Sequence, residues 1–168
     1  MIQWIGAVLL VAGCGAYGFA LGAASRREMG MLRRLGNGLQ EVEWELKYRM
    51  TELPELCRLA AEVSGGVPGE IFREMAEKLD RHEVSDLGAC FNAIVSGRDL
   101  PRRVQRNFRQ LGTSLGRYDL DGQLEGLQAV RTRCLQDLKA LEENSAQRIR
   151  SYQTLALCAG MSLAILLI

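Results

Sequence analysis

The stretch IQWIGAVLLVAGCGAYGFALGAA, residues 2–24, decides how the rest of the chain is organised. It contains no Asp, Glu, Lys or Arg, and Gln3 is its only strongly polar residue. A helix of this length extends roughly 34 Å, enough to cross a bilayer core of about 30 Å. We therefore predict an N-terminal transmembrane helix. A cleaved signal peptide is the alternative, with Ala20-Leu21-Gly22 as its cleavage site, but no basic residue precedes the apolar run.

A second apolar stretch, YQTLALCAGMSLAILLI, occupies residues 152–168 and is predicted to be a C-terminal transmembrane helix. It would extend about 25 Å, so a full crossing requires local thinning of the bilayer or flanking side chains that reach its surface. Its length alone leaves open whether it spans completely. Every charged side chain lies between the two stretches, in residues 25–151, which we predict to form one domain.

Basic residues flank both apolar stretches on the side of this domain. Arg26 and Arg27 follow the first stretch, and Arg148 and Arg150 precede the second. Because positively charged flanks stay on the cytoplasmic side, we predict a protein of the cell membrane whose residues 25–151 face the cytoplasm.

The composition excludes several classes of function. Lys plus Arg number 21 and Asp plus Glu number 20, so no bulk charge draws the chain to nucleic acid. The five cysteines form no C-x-x-C pair, and with the single histidine, His82, they make no zinc spacing. Unpaired thiols in odd number indicate a reducing compartment. We predict neither a metal nor a cofactor.

Apolar residues recur at helical spacing from the start of the domain. The first stripe interrupts a polar sequence every three or four residues and predicts one helix. Gly36 and Gly38 fall within it and mark either a flexible joint or a point of close packing. The members of the stripe are Leu32, Leu35, Leu39, Val42 and Leu46.

Five further helices follow from apolar stripes and boundary residues. Their predicted starts are Thr51 as an N-cap, Pro68, Ser85 or Asp86 as a cap, Pro101 and Leu120. The predicted ends include Ser64-Gly65-Gly66, Gly97 and Gly116, and the sixth helix continues past Ser151 into the second apolar stretch. Since no segment alternates with period two, we predict an all-α antiparallel bundle of about six helices with a membrane helix at each end.

Catalytic residues are scarce. His82 lies near a predicted helix end, where a partner of the helix dipole is a simpler interpretation than a base. Glu43 and Glu45 are two residues apart, so on a helix they point to different faces and do not form a shared acid–base site. A solvated or partner-contacting acidic face is expected instead. We predict that the protein is not an enzyme.

The fifth predicted helix is basic, and Arg102, Arg106 and Arg109 fall on one of its faces. Three interpretations are open: a solvated face that pairs with the acidic first and third helices, a docking strip for an acidic protein, and a nucleic-acid contact. The last is disfavoured because few aromatic residues are available for stacking and the net charge is near zero.

The segment LGTSLGRYDLDGQ, residues 111–123, is the least generic part of the chain. It combines a helix end, a glycine stop, a short polar turn and a new helix start, which Asp119 or Asp121 can cap. Arg117 and Asp119 are close enough to pair across the turn, for a gain of up to about 1 kcal/mol.

Two other segments precede this one in the chain. They are LQEVEWELKY at residues 39–48 and MAEKL at residues 75–79, and all three lie between the two apolar ends. In these features the chain resembles the stage III sporulation protein AB family of endospore-forming bacteria, over nearly its whole length. It departs from the family at Gly36-Asn37-Gly38 and at residues 51–53, where TEL replaces the usual Thr-Pro-Leu.

The resemblance implies a helical domain similar to the F domain of type II secretion and type IV pilus platform proteins. It also implies a channel that links the mother cell and the forespore and includes a secretion-type ATPase. The expected function is a membrane assembly platform that docks this ATPase and other membrane subunits. The resemblance leaves the oligomeric state open. Candidate structural or docking residues are Glu43, Glu45, Arg102, Arg106, Arg109, Arg117 and Asp119.

Two other functions are alternatives. A platform of a pilus or secretion system usually has two F domains and three membrane helices, which one domain and two apolar segments do not match. A membrane-tethered regulator would bind nucleic acid through the fifth helix and would show this as a salt-dependent gel shift.

Overall fold

The computed structural model describes the backbone of residues 2–115 and 120–167 and the side chains of residues 23–115 and 120–145. In these residues it contains helices and no strand, so the predicted all-α class is confirmed. The helices are α1 (Ile2–Tyr48), α2 (Leu53–Ser64), α3 (Gly66–Asp80), α4 (Leu87–Ser96), α5 (Arg102–Ser114) and α6 (Leu120–Leu167).

The chain divides into two compact units. One comprises Met1–Arg27 and Lys139–Ile168, and the other, which we call the helical domain, comprises Glu28–Leu138. Across the residues that are described, no helix combines the length and the apolar character needed to cross a membrane. The two predicted membrane helices lie almost wholly outside the described side chains, so both stay predictions.

The apolar stripe of α1 forms the centre of the domain. All five of its predicted residues are buried, and Leu35 and Leu39 are completely inaccessible. α1 continues without a break through both glycines of the stripe. A methyl group added at Gly38 would meet the Ser64 side chain and lie 3.2 Å from the Ala60 carbonyl oxygen. Gly38 is therefore a point where α1 and α2 pack closely, rather than a joint.

Three phenylalanines join the middle helices. Phe72 of α3, Phe91 of α4 and Phe108 of α5 are all fully buried. The ring of Phe72 lies 5.4 Å from that of Phe108 and 6.3 Å from that of Phe91, between ring centroids. Such contacts add to the hydrophobic stabilisation from burial of the rings, so this cluster holds α3, α4 and α5 together.

Most predicted helix boundaries hold, among them Gly97 after α4 and Leu120 at the start of α6, and two are wrong. The Asp86 carboxylate accepts a 2.8 Å hydrogen bond from the Gly88 N–H, so Asp86 caps α4 as predicted. Thr51 does not cap α2, because its hydroxyl donates to the Glu45 carboxylate at 2.9 Å instead. α2 ends at Ser64 with Gly65 at positive φ, as predicted. α5 ends at Ser114 rather than Gly116, because Leu115 is extended and buries its side chain.

His82 terminates α3. Its φ is +56°, and its N–H donates to the Leu79 carbonyl while the Glu83 N–H donates to the Lys78 carbonyl. This pair of bonds is the Schellman motif, whose left-handed position glycine occupies most readily. His82 therefore supplies the left-handed residue that ends α3, and its predicted interaction with the helix dipole stays a prediction.

Replacing His82 with glycine is expected to raise the free energy of unfolding by about 0.5–1 kcal/mol, since glycine adopts positive φ without the steric cost of a Cβ. Urea denaturation of residues 25–151, followed by circular dichroism, measures the change. His82→Ala keeps the Cβ and should show no gain. A loss of stability in the glycine variant would mean that the 3.0 Å contact between His82 Nδ1 and the Asp80 carbonyl stabilises the fold by more than the positive φ of His82 costs.

Candidate functional site

α5 presents arginines outward because its apolar residues are spaced to face inward. Val104, Phe108 and Leu111 are buried at intervals of four and three residues. Arg102, Arg106 and Arg109 repeat the same intervals on the opposite side of the helix, and all three are exposed. These three arginines, which we call the arginine strip, therefore share one face, as the sequence predicted.

The middle of the strip is held by α6. Arg106 Nη2 lies 3.0 Å from each carboxylate oxygen of Asp137. The same carboxylate accepts a 3.1 Å hydrogen bond from the side chain of Asn107 and lies 3.7 Å from Arg103. Asp137 therefore accepts hydrogen bonds from Arg106 and Asn107, forms a longer ion pair with Arg103, and fixes the packing of α5 on α6.

In the part of the chain that the structure describes, neither end of the strip pairs with a carboxylate. Arg109 donates a 3.4 Å hydrogen bond to the Ser96 hydroxyl. Beside the strip, arginines do pair with acidic residues of the first and third helices. Such pairing is one of the three interpretations open from the sequence. Arg103 lies 3.6 Å from Glu28 of α1, and Arg98 binds two carboxylates of α3, Glu70 and Glu74.

Glu43 and Glu45 point to different faces of α1, as the helical spacing requires. Glu43 accepts a 2.9 Å hydrogen bond from Gln128 and pairs with Arg131 at 3.1 Å, so it connects α1 to α6. Glu45 is only 4% exposed and is held by Thr51 and by Arg49. The expectation of a solvated or partner-contacting acidic face is therefore wrong for Glu45, because the chain folds back over its carboxylate after α1.

One exposed surface was missed by sequence reasoning. Trp44, Tyr48 and Met50 are 50%, 63% and 72% exposed at the end of α1, and the two rings lie 5.4 Å apart. Lys47 lies over the Tyr48 ring and Arg49 over the Trp44 ring. Exposed aromatic and arginine side chains are typical of protein interfaces. The sequence feature that could have revealed this surface is the four-residue spacing of Trp44 and Tyr48, which places both on one face of the helix and off the buried stripe.

Groups suited to catalysis are few in the described part of the chain. Burial raises the pKa of the Cys57 and Cys134 thiols to about 12, so both stay protonated and weakly nucleophilic at neutral pH. The Cys134 thiol also donates to the Leu32 carbonyl at 3.1 Å. Among these same residues, no group of three or more His, Cys, Asp or Glu is placed to hold a metal ion.

Arg117 and Asp119 lie outside the described residues, so their predicted pairing across the turn stays a prediction. The described candidates separate into two kinds. Glu43, Glu45 and Arg106 form ion pairs or short hydrogen bonds within the domain, whereas Arg102 and Arg109 are exposed and have no carboxylate partner among the described residues.

Comparison with known proteins gives two matches. The family model described as Stage III sporulation protein AB matches residues 3–168. A solved structure described as Stage III sporulation protein AB (SpoIIIAB) matches with a TM-score of 0.63 and 18% sequence identity, over 71% of this chain and 97% of that one. At this identity the structural match shows the fold alone. Among curated proteins, no match was found.

Proposed function

The chain belongs to the stage III sporulation protein AB family, and from this premise we propose that it is a non-enzymatic assembly platform of the channel between mother cell and forespore. In this proposal the two apolar ends anchor it in the mother-cell membrane around the forespore. The helical domain faces the cytoplasm and docks a secretion-type ATPase and other channel subunits.

The observation that carries the proposal is the family match over residues 3–168, which includes both apolar ends as well as the domain between them. The two apolar stretches belong to α1 and α6, the same helices that contribute residues to the domain. A platform needs a stable body and exposed contact surfaces. The phenylalanine cluster supports the first, and the arginine strip and the exposed Trp44–Tyr48 surface support the second.

We expect the secretion-type ATPase of the channel to co-purify with the tagged full-length chain from detergent-solubilised membranes of sporulating cells. A matched control keeps residues 2–24 and 152–168 and replaces residues 25–151 with an unrelated helical domain, and it should not retain the ATPase. A reporter placed beside Arg26 or Arg150 should lie in the cytoplasm. Equal recovery of the ATPase with the control, or a full-length chain that stays in solution without detergent, would contradict the proposal.

A further inference from the structure

We propose that Arg102 and Arg109 are the contact residues of a docking site for an acidic helical segment of a protein partner. This inference rests on the proposed function, because a platform must bind other subunits through its domain. It assigns different roles to the three arginines of the strip: the two ends bind the partner, and Arg106 holds the strip against α6 through Asp137.

Within the described residues, no carboxylate neutralises the charge at the two ends of this face, although Asp137 pairs with Arg106 in its middle. α5 contains four arginines and no acidic residue, and its first turn carries two of those arginines. The N-terminal end of a helix is the positive end of its dipole and disfavours cations, so Arg102 adds to a potential that is already positive. On α6, Arg133 binds the neutral amide oxygen of Gln110 at 3.0 Å. Only Asp137 and Glu28 supply carboxylates to α5 among the described residues.

The geometry specifies what a partner must offer. Arg102 and Arg109 are seven residues apart, which is close to two turns of helix and about 10.5 Å along its axis. Two carboxylates on one face of a partner helix, also seven residues apart, match this separation. Both positions are arginine rather than lysine, and the planar guanidinium binds a carboxylate through two parallel hydrogen bonds.

A protein helix fits this face better than nucleic acid or lipid. The large exposed apolar side chains of the described residues are Trp44, Tyr48, Met50, Val63 and Leu135, and none of them belongs to α5. The strip therefore has no aromatic ring on which bases could stack. It also has no apolar side chain to insert below lipid headgroups, because the apolar residues of α5 are buried in the core.

The test uses a fluorescent, helix-forming peptide with glutamates at positions i, i+4 and i+7, titrated with the full-length chain in non-ionic detergent at low salt. We expect Arg102→Glu combined with Arg109→Glu to weaken binding at least about tenfold. Arg73→Glu combined with Arg81→Glu is the matched control, because both residues are exposed on or beside α3 and the change in net charge is the same. This control should stay within about twofold of the unmodified chain.

Equal weakening by both double variants would reduce the effect to bulk charge and overturn the proposal. Equal binding of an isomeric peptide, with its glutamates spread around the helix, would overturn it as well. So would strip-dependent binding of phosphatidylglycerol vesicles or a single-stranded oligonucleotide in place of the peptide. Arg102→Gln combined with Arg109→Gln tests the same loss with less perturbation of the fold. If the peptide titration contradicts the docking site while the ATPase still co-purifies with the chain, the docking site is rejected and the platform proposal stands.

Discussion

Replacing Phe72 with alanine is expected to lower the free energy of unfolding by about 3–5 kcal/mol. Phe72 is 1% exposed, and its ring contacts those of Phe91 and Phe108 on two other helices. The substitution removes most of a buried ring and leaves a cavity where α3, α4 and α5 meet. Backbone around the cavity can close it only by moving three helices at once, so little of the loss is recovered.

Urea denaturation of residues 25–151, followed by circular dichroism, measures this loss. Val63→Ala is the control, because Val63 is 46% exposed on α2, and it should cost under about 1 kcal/mol. If the alanine variant does not fold, Phe72→Leu gives a smaller, measurable loss. A loss below about 1 kcal/mol for Phe72→Ala would show that the cluster does not hold the three helices together.

Replacing Gly69 with alanine is expected to destabilise the domain by about 1–3 kcal/mol. A methyl group at Gly69 would lie 2.6 Å from the carbonyl oxygen of Ala61 in α2. This oxygen belongs to the backbone and cannot rotate away, so α2 and α3 must separate to admit the methyl group. The separation outweighs the gain of about 1 kcal/mol that alanine brings in a helix interior.

Gly30→Ala is the matched control for this prediction. Gly30 lies within α1, is exposed, and has no atom within 4 Å of the position that a methyl group would take. Here only the helical preference of alanine acts, so stability should rise by about 1 kcal/mol. The two substitutions are chemically identical, but they should change the free energy of unfolding in opposite directions. The reason is that a backbone oxygen lies against Gly69 and no atom lies against Gly30. A gain of stability in both variants would mean that α2 and α3 lie farther apart at Gly69 than the structure indicates.

Local periodicity was enough to place most helices and their inner faces. The stripe from Leu32 to Leu46 predicted both the helix and its burial, because residues three and four apart share a face wherever a helix packs. In α6, Leu127, Val130 and Cys134 are buried at intervals of three and four residues, as the same rule requires. The Thr51 cap was wrong because a carboxylate six residues earlier competes for the hydroxyl, and capping preferences do not register such contacts.

For the candidate site, the sequence by itself determined that Arg102, Arg106 and Arg109 lie on one face of α5, and that Glu43 and Glu45 do not. Only the tertiary structure decided which charges are used inside the domain. Asp137 lies 31 residues from Arg106, and Gln128 lies 85 residues from Glu43. The physical reason is range: a side chain's direction follows from the geometry of its own helix, whereas its partner depends on how distant helices pack. That packing leaves Arg102 and Arg109 exposed on α5, and it leaves Trp44 and Tyr48 exposed at the end of α1.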